Sequence, residues 1–199
     1  MVGMIPVMIR IADGIFGSIN FRGSIYRQHN LHLEAAKFVD QICKTSQLTL
    51  QMFIAGGGLP LLVKTLRVAS DLKNLDLKKN GDIAKIVGIG IDGILEVFKL
   101  QNIRRDDFCH LFVKLELLPH LVIGFRSFLS VILETETDSP ESAIIEESWS
   151  ELEKLGEILK FFASSDPFVR ERLAADNVCL GILNPFIGLS ISKYVNSKW

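Results

Sequence analysis

The chain has 199 residues, 48% of them hydrophobic and 23% charged, with a formal charge of -1. That is enough apolar material for one sizeable core or a short stack of helices, and too much for a disordered chain. The balanced charge excludes a broad basic stripe for nucleic acid or anionic lipid, since Arg104-Arg105 is offset at once by Asp106-Asp107.

Three cysteines, Cys43, Cys109 and Cys179, are widely spaced and odd in number. A secreted disulfide framework does not fit that pattern, and a reducing cytosol does. Crossing a bilayer takes about 18 uninterrupted apolar residues, and no stretch supplies them. Residues 1–11 lack the basic start and cleavage pattern of a secretory signal. The expectation is a cytoplasmic protein with no membrane insertion.

In chain order, residues 5–12 form the first apolar helical run, headed by Pro6. Asp13-Gly14 then opens a loop containing Gly17, Asn20 and Gly23, with the aromatics Phe16, Phe21 and Tyr26 to pack it down. The run begins on a glycine turn with no short helix before it. Its apolar side therefore awaits a cover, from a longer polypeptide or from a partner. Asn30 is placed to cap a helix over 30–44, with Leu31, Ala35, Phe38, Val39 and Ile42 as its buried face. His29 and His32 have no carboxylate or cysteine at ligand spacing, so no metal site is expected there.

Residues 48–67, LTLQMFIAGGGLPLLVKTLR, spell a short helix, a stop and a second helix. Leu50, Phe53 and Ile54 recur at helical spacing. Gly56, Gly57 and Gly58 permit the backbone angles that end a helix, and Pro60 suits a first turn, where its missing N–H has no intrahelical partner. Leu59, Leu62, Val63 and Leu66 make the next apolar face, with Lys64 and Arg67 toward water. A charged insertion over 70–80 follows.

The helix over 82–100 puts Ile86, Ile89, Ile94, Val97 and Phe98 in the core. Within it stands Gly88-Ile89-Gly90-Ile91-Asp92-Gly93, a literal G-x-G-x-x-G. A phosphate loop needs a strand before it, and a kinase loop needs H-R-D and D-F-G motifs after it. None of these is present. The glycines read instead as places of close helix approach, although three of them weaken a helix by about 2 to 3 kcal/mol.

A short helix over 104–116 sets Phe108, Leu111, Phe112 and Leu115 on one face. Its Cys109-His110 pair is no catalytic dyad, because neighbours on a helix point about 100° apart. Pro119, followed by His120, heads another apolar run. The acidic insertion over 134–147 has no Lys or Arg and reads as a solvated loop, with Ser139-Pro140 a possible site for a proline-directed kinase. A core-facing helix over 149–163 uses Trp149, Leu152, Leu155, Ile158, Leu159 and Phe162. Ser165-Asp166-Pro167 caps a short helix over 168–175, and Pro185 closes the series.

The prolines at the heads of apolar runs, Pro6, Pro60, Pro119 and Pro185, fall 54, 59 and 66 residues apart. HEAT and armadillo units repeat at roughly 40 to 47 residues, so each unit here carries an insertion. The order short helix, Pro-helix, loop, long helix predicts an all-α, irregular armadillo/HEAT-type solenoid, one domain over 1–199 with three to four repeats, the first and last incomplete.

The segments EAAKFVDQICKTS, LTLQMFIAGGGLPLLVKTL, GIDGILEVFKLQ and RRDDFCHLF resemble the armadillo-repeat region beyond the kinase domain in the STE-type family of septation and mitotic-exit kinases. That family includes the plant MAP kinase kinase kinase epsilon. The likeness runs from about Leu33 to Leu121 and weakens at the acidic insertion. It implies a role in the cascade coupling mitotic exit to cytokinesis, with protein partners such as a small GTPase or a spindle-pole scaffold, at a spindle pole or division site. The kinase core is not in these residues, so the expectation is a non-catalytic regulatory module without a cofactor. The alternative is a free-standing armadillo adaptor or transport scaffold.

Importin-like stacks read basic peptides with a Trp/Asn ladder on their long helices. Here Lys37 and Gln41, Asp92 and Glu96, and Gly156 and Lys160 fall at the ladder places, which disfavours that form of capture. Lys37, Gln41, Asp92, Glu96 and Lys160 are the candidate partner-binding residues, lined along one polar face.

Overall fold

A computed structural model of the protein describes residues 3–17, 25–71, 81–101, 103–134 and 142–175. Among these there are nine helices and no strand: α1 Met4–Gly17, α2 Ile25–Thr45, α3 Gln47–Ala55, α4 Leu59–Asp71, α5 Gly81–Phe98, α6 Arg105–Lys114, α7 Leu117–Glu134, α8 Ser142–Ala163 and α9 Pro167–Ala175. No single described helix is long and apolar enough to cross a membrane.

Two corners carry the architecture. Ser46 caps α3, its Oγ accepting from the Thr49 amide at 3.1 Å. At the other end the Gly58 amide donates to the Phe53 carbonyl at 2.9 Å and the Gly57 amide to that of Ile54 at 3.0 Å. With Gly57 at φ 86° this is a Schellman stop, and α4 leaves it bent by 88°. The α6–α7 corner repeats the form. The Glu116 amide donates to the Val113 carbonyl at 3.1 Å, Glu116 has φ 59°, and the helices bend by 87°.

Beyond each corner the Pro-headed helix packs on its predecessor, α4 on α1 and α7 on α4, while the long helices pack in the order α2, α5, α8. The two rows meet at the α1–α2, α4–α5 and α7–α8 contacts. Glycine makes the second of these close. A Cβ on Gly90 would stand 2.0 Å from Thr65 Oγ1 and 2.5 Å from Leu66 Cδ1, and one on Gly93 would stand 2.5 Å from Leu62 Cδ2. The glycine motif thus lies inside α5, where Gly90 and Gly93 seat it against α4 while Gly88 faces Glu151 of α8.

Phe53, Leu62, Ile94 and Phe112 are fully buried, as the helical spacing predicts. Phe98 gathers Phe108, Phe112, Phe161 and Phe162 with ring centroids 4.9 to 6.4 Å apart, joining α5, α6 and α8.

Several expectations are corrected. The first helix runs through Asp13-Gly14 to Gly17, because Phe16 is buried and Asp13 is held by Lys64 of α4 at 2.5 Å. Asn30 lies inside α2, one turn beyond its start, and is no cap. Leu31 and Trp149 are exposed on the outer sides of α2 and α8. α8 begins at Ser142, so residues 142–147 of the acidic insertion are helical, as is Glu134 in α7. Residues 18–24 of the first loop, 72–80 of the second insertion, Ser139 with the rest of 135–141, and the stretch 176–199 with Cys179 and Pro185 lie outside the described residues.

Candidate protein-binding face

The row of long helices brings three charged stripes together. On α2, Lys37, Gln41 and Lys44 share one stripe, two turns long. On α5, Asp92, Glu96 and Lys99 do the same. On α8, Glu151 and Lys154 face α5. Lys44 Nζ reaches Asp40 Oδ1 at 2.7 Å within α2 and Asp92 Oδ2 at 3.1 Å on α5. Lys154 Nζ reaches Asp92 Oδ1 at 2.7 Å and Glu151 Oε1 at 2.7 Å. Asp92 therefore joins all three helices through its two oxygens.

Burial acts differently on the members of this network. It would raise the Asp92 pKa, but hydrogen bonds from Lys154 and Lys44 outweigh it and leave the carboxyl below its ordinary value. Burial likewise pulls the Lys44 and Lys154 ammonium groups down, and their carboxylate partners carry both above the usual lysine value. Glu151 goes the other way. It is 7% exposed, burial dominates over its bond from Lys154, and its pKa is raised. Its Oε2 is buried with no hydrogen-bond partner among the described residues, 3.5 Å from the position a Cβ would take on Gly88.

The candidate binding residues divide on this geometry. Lys37 is exposed and pairs with Glu34 at 2.7 Å, and Gln41 is exposed. Glu96 is half-buried and pairs with Lys99 at 2.7 Å. The Asp92 side chain is only 27% exposed and is held by two lysines, so it is a tie between helices more than a free contact. Lys160 is exposed on α8, six residues after Lys154 and so about 120° away around the helix. It does not share the stripe that faces α5. Sequence spacing missed Lys44 and Lys154 as the partners of Asp92, and Glu151 as the second partner of Lys154. The Asp40/Lys44 and Glu151/Lys154 spacings of four and three residues are legible signals, but they do not say which neighbouring helix the lysines reach.

The other reactive groups are held in structural contacts. His32 stacks on Phe16 at 5.5 Å and its Nε2 donates to the Ile15 carbonyl at 2.9 Å. Cys109 is buried, and burial pushes its thiol up to about 11 against a hydrogen bond from Ser165. His110 turns away from it to the Asp166 carboxylate, which also caps α9 by accepting from the Val169 amide at 3.1 Å. Burial pushes the Cys43 thiol to about 12. Among the described residues no three His, Cys, Asp or Glu side chains stand together as a metal site.

Comparison with known proteins gives the stretch its context. It is 36% identical over 126 residues to MAP3K epsilon protein kinase 1 of Arabidopsis thaliana, covering 61% of this chain and 8% of that protein. It is 33% identical over 154 residues to cytokinesis protein sepH of Aspergillus niger, covering 77% of this chain and 10% of that protein. Cell division control protein 7 of Schizosaccharomyces pombe is 29% identical over 160 residues, 79% of this chain and 13% of that protein. The chain thus spans 8 to 13% of the length of these curated relatives and matches one region of them. No family model and no solved structure matches it.

Proposed function

We propose that these 199 residues are a non-catalytic, protein-binding regulatory module of the armadillo type in a septation or mitotic-exit kinase, acting in cell-division signalling. One observation carries the reading. The same stretch is matched by a plant MAP3K epsilon protein kinase and by fungal proteins of cytokinesis and cell-division control, each time over a small part of a much longer protein. The two right-angled corners and the two rows of successive helices support an armadillo-type stack, since such units bury one another's faces in series.

Such a stack offers a broad polar face, suited to an extended segment or a helix of a protein partner. Lys37, Gln41 and Glu96 are its accessible contacts, Asp92 sets its floor, and Lys160 lies to one side. By resemblance the partner is a small GTPase or a spindle-pole scaffold, and the place is the cytoplasm at a spindle pole or division site.

The test replaces Lys37 by Glu and Glu96 by Lys together in the intact parent polypeptide. Equal melting temperatures are confirmed first. Proteins recovered from cells leaving mitosis are then identified for parent and variant. Loss of a GTPase or scaffold from the variant, with a kinase core in the same polypeptide, is the expected result. Unchanged recovery removes this face as the binding surface, and a parent polypeptide without a kinase core favours a free-standing adaptor.

A further inference from the structure

Helix α1 has two apolar sides. Ile9, Ala12 and Phe16 are buried in the core. Met4, Val7 and Ile11, spaced three and four residues apart on the other side, are 65%, 56% and 51% exposed. Beside them Met8 and Ile15 of α1 join Leu31 and Phe38 of α2 around a groove of about 180 Å³, with Glu34 at its edge. The exposed stripe and the groove are one continuous surface across two helices. A surface of this kind is rarely left open to water.

Inside the chain the corresponding surfaces are covered. α4 and α5 lie on α1 and α2, and α7 and α8 lie on α4 and α5. The outer side of the α1–α2 pair continues that series of interfaces by one more step. From this continuity we propose that the outer α1–α2 surface seats a further helix pair of the α4–α5 kind, supplied by the same polypeptide outside these 199 residues. The spacing of Met4, Val7 and Ile11 matches the ridge of a packed helix. Met4 and Met8 adapt their unbranched side chains to whatever shape they meet. The source is named on length: the relatives carry the matched stretch in 8 to 13% of their chains, so flanking polypeptide is at hand at high effective concentration. The inference rests on the reading that the stretch belongs to a longer kinase.

A photoreactive phenylalanine derivative at Val7 or Leu31 of the intact polypeptide tests this, with a control at exposed Glu153. After irradiation, cross-linked peptides are identified by mass spectrometry. The expected product joins position 7 or 31 to an amphipathic helical segment of the same molecule outside residues 1–199, at least tenfold above the control, with loss of the product in Ile11→Glu. Cross-links between two copies, cross-links to another protein, absence of any product, or an intact polypeptide of only 199 residues each overturns the proposal. Intramolecular cross-links in a polypeptide without a kinase core leave the inference standing and remove the functional reading. A kinase core without such cross-links does the reverse.

Discussion

Gly57 and Glu116 hold the same left-handed backbone position, φ 86° and φ 59°, each three residues before the proline that heads the next helix. Glycine takes this conformation freely, whereas a side chain there costs about 1 kcal/mol. The second corner folds against that cost because Leu117 and Leu118 are buried beside it.

The pair makes opposite predictions at equivalent stations. Glu116→Gly should stabilise the protein by about 0.5 to 1 kcal/mol, and Gly57→Ala should destabilise it by about 1 kcal/mol, since nothing stands within 4 Å of the added methyl and only the backbone is strained. Denaturant unfolding measures both. Changes of the same sign would show that the corners are not equivalent.

At the α4–α5 contact the predicted effects are steric. Gly90→Ala drives a methyl into Thr65 and should cost about 2 kcal/mol or more, whereas Gly14→Ala, with open space around it, should gain about 0.5 to 1 kcal/mol from helix propensity. Leu62→Ala, at the same contact and fully buried, should cost about 2 to 5 kcal/mol. Calorimetry with ATP or NAD should give no binding heat. A micromolar affinity that Gly90→Val abolishes would mean the glycine motif is a phosphate site after all.

The Asp92 network fixes how stability responds to acid. Asp92 is depressed below its ordinary 3.8, so its contribution is complete above that value and is lost as pH falls through the lower, folded value. The acid limb of the stability curve should therefore steepen below pH 3.8, and Asp92→Asn should flatten it. Asp92→Lys should destabilise the fold at neutral pH, because it leaves Lys44 and Lys154 facing a third cation. This departs from the behaviour of a freely exposed charge, for which reversal costs under about 0.5 kcal/mol.

Glu151 carries the opposite sign. Its folded pKa lies above the ordinary 4.5, so its charge is a penalty at neutral pH that disappears as pH falls through the folded value toward 4.5. Glu151→Gln should raise the melting temperature at pH 7 and leave it unchanged near pH 4. A lower melting temperature at pH 7 would mean that the bond to Lys154 outweighs the cost of burying the charge.

The helix, stop and Pro-helix order could be read from the sequence because it rests on local chemistry. Gly57 permits its own backbone angle, Pro60 lacks a donor that a first turn does not need, and Leu50, Phe53, Leu62 and Leu66 repeat at the period of a helix whatever packs on them. Gly90 and Gly93 were legible as close-approach positions for the same reason, since no strand precedes them. What the tertiary structure decided was which helix each side meets. Leu31 and Trp149 satisfy the apolar period yet face outward, because α2 and α8 lie at positions in their row where no described helix covers those stripes. Asp92 has the spacing of a surface acid, but α2 and α8 bring Lys44 and Lys154 onto its two oxygens and make it a tie between helices. Periodicity gives a residue its angle around its own axis; whether that angle meets water or another helix depends on contacts between residues as far apart in the chain as Lys44 and Asp92, and those only the packed fold supplies.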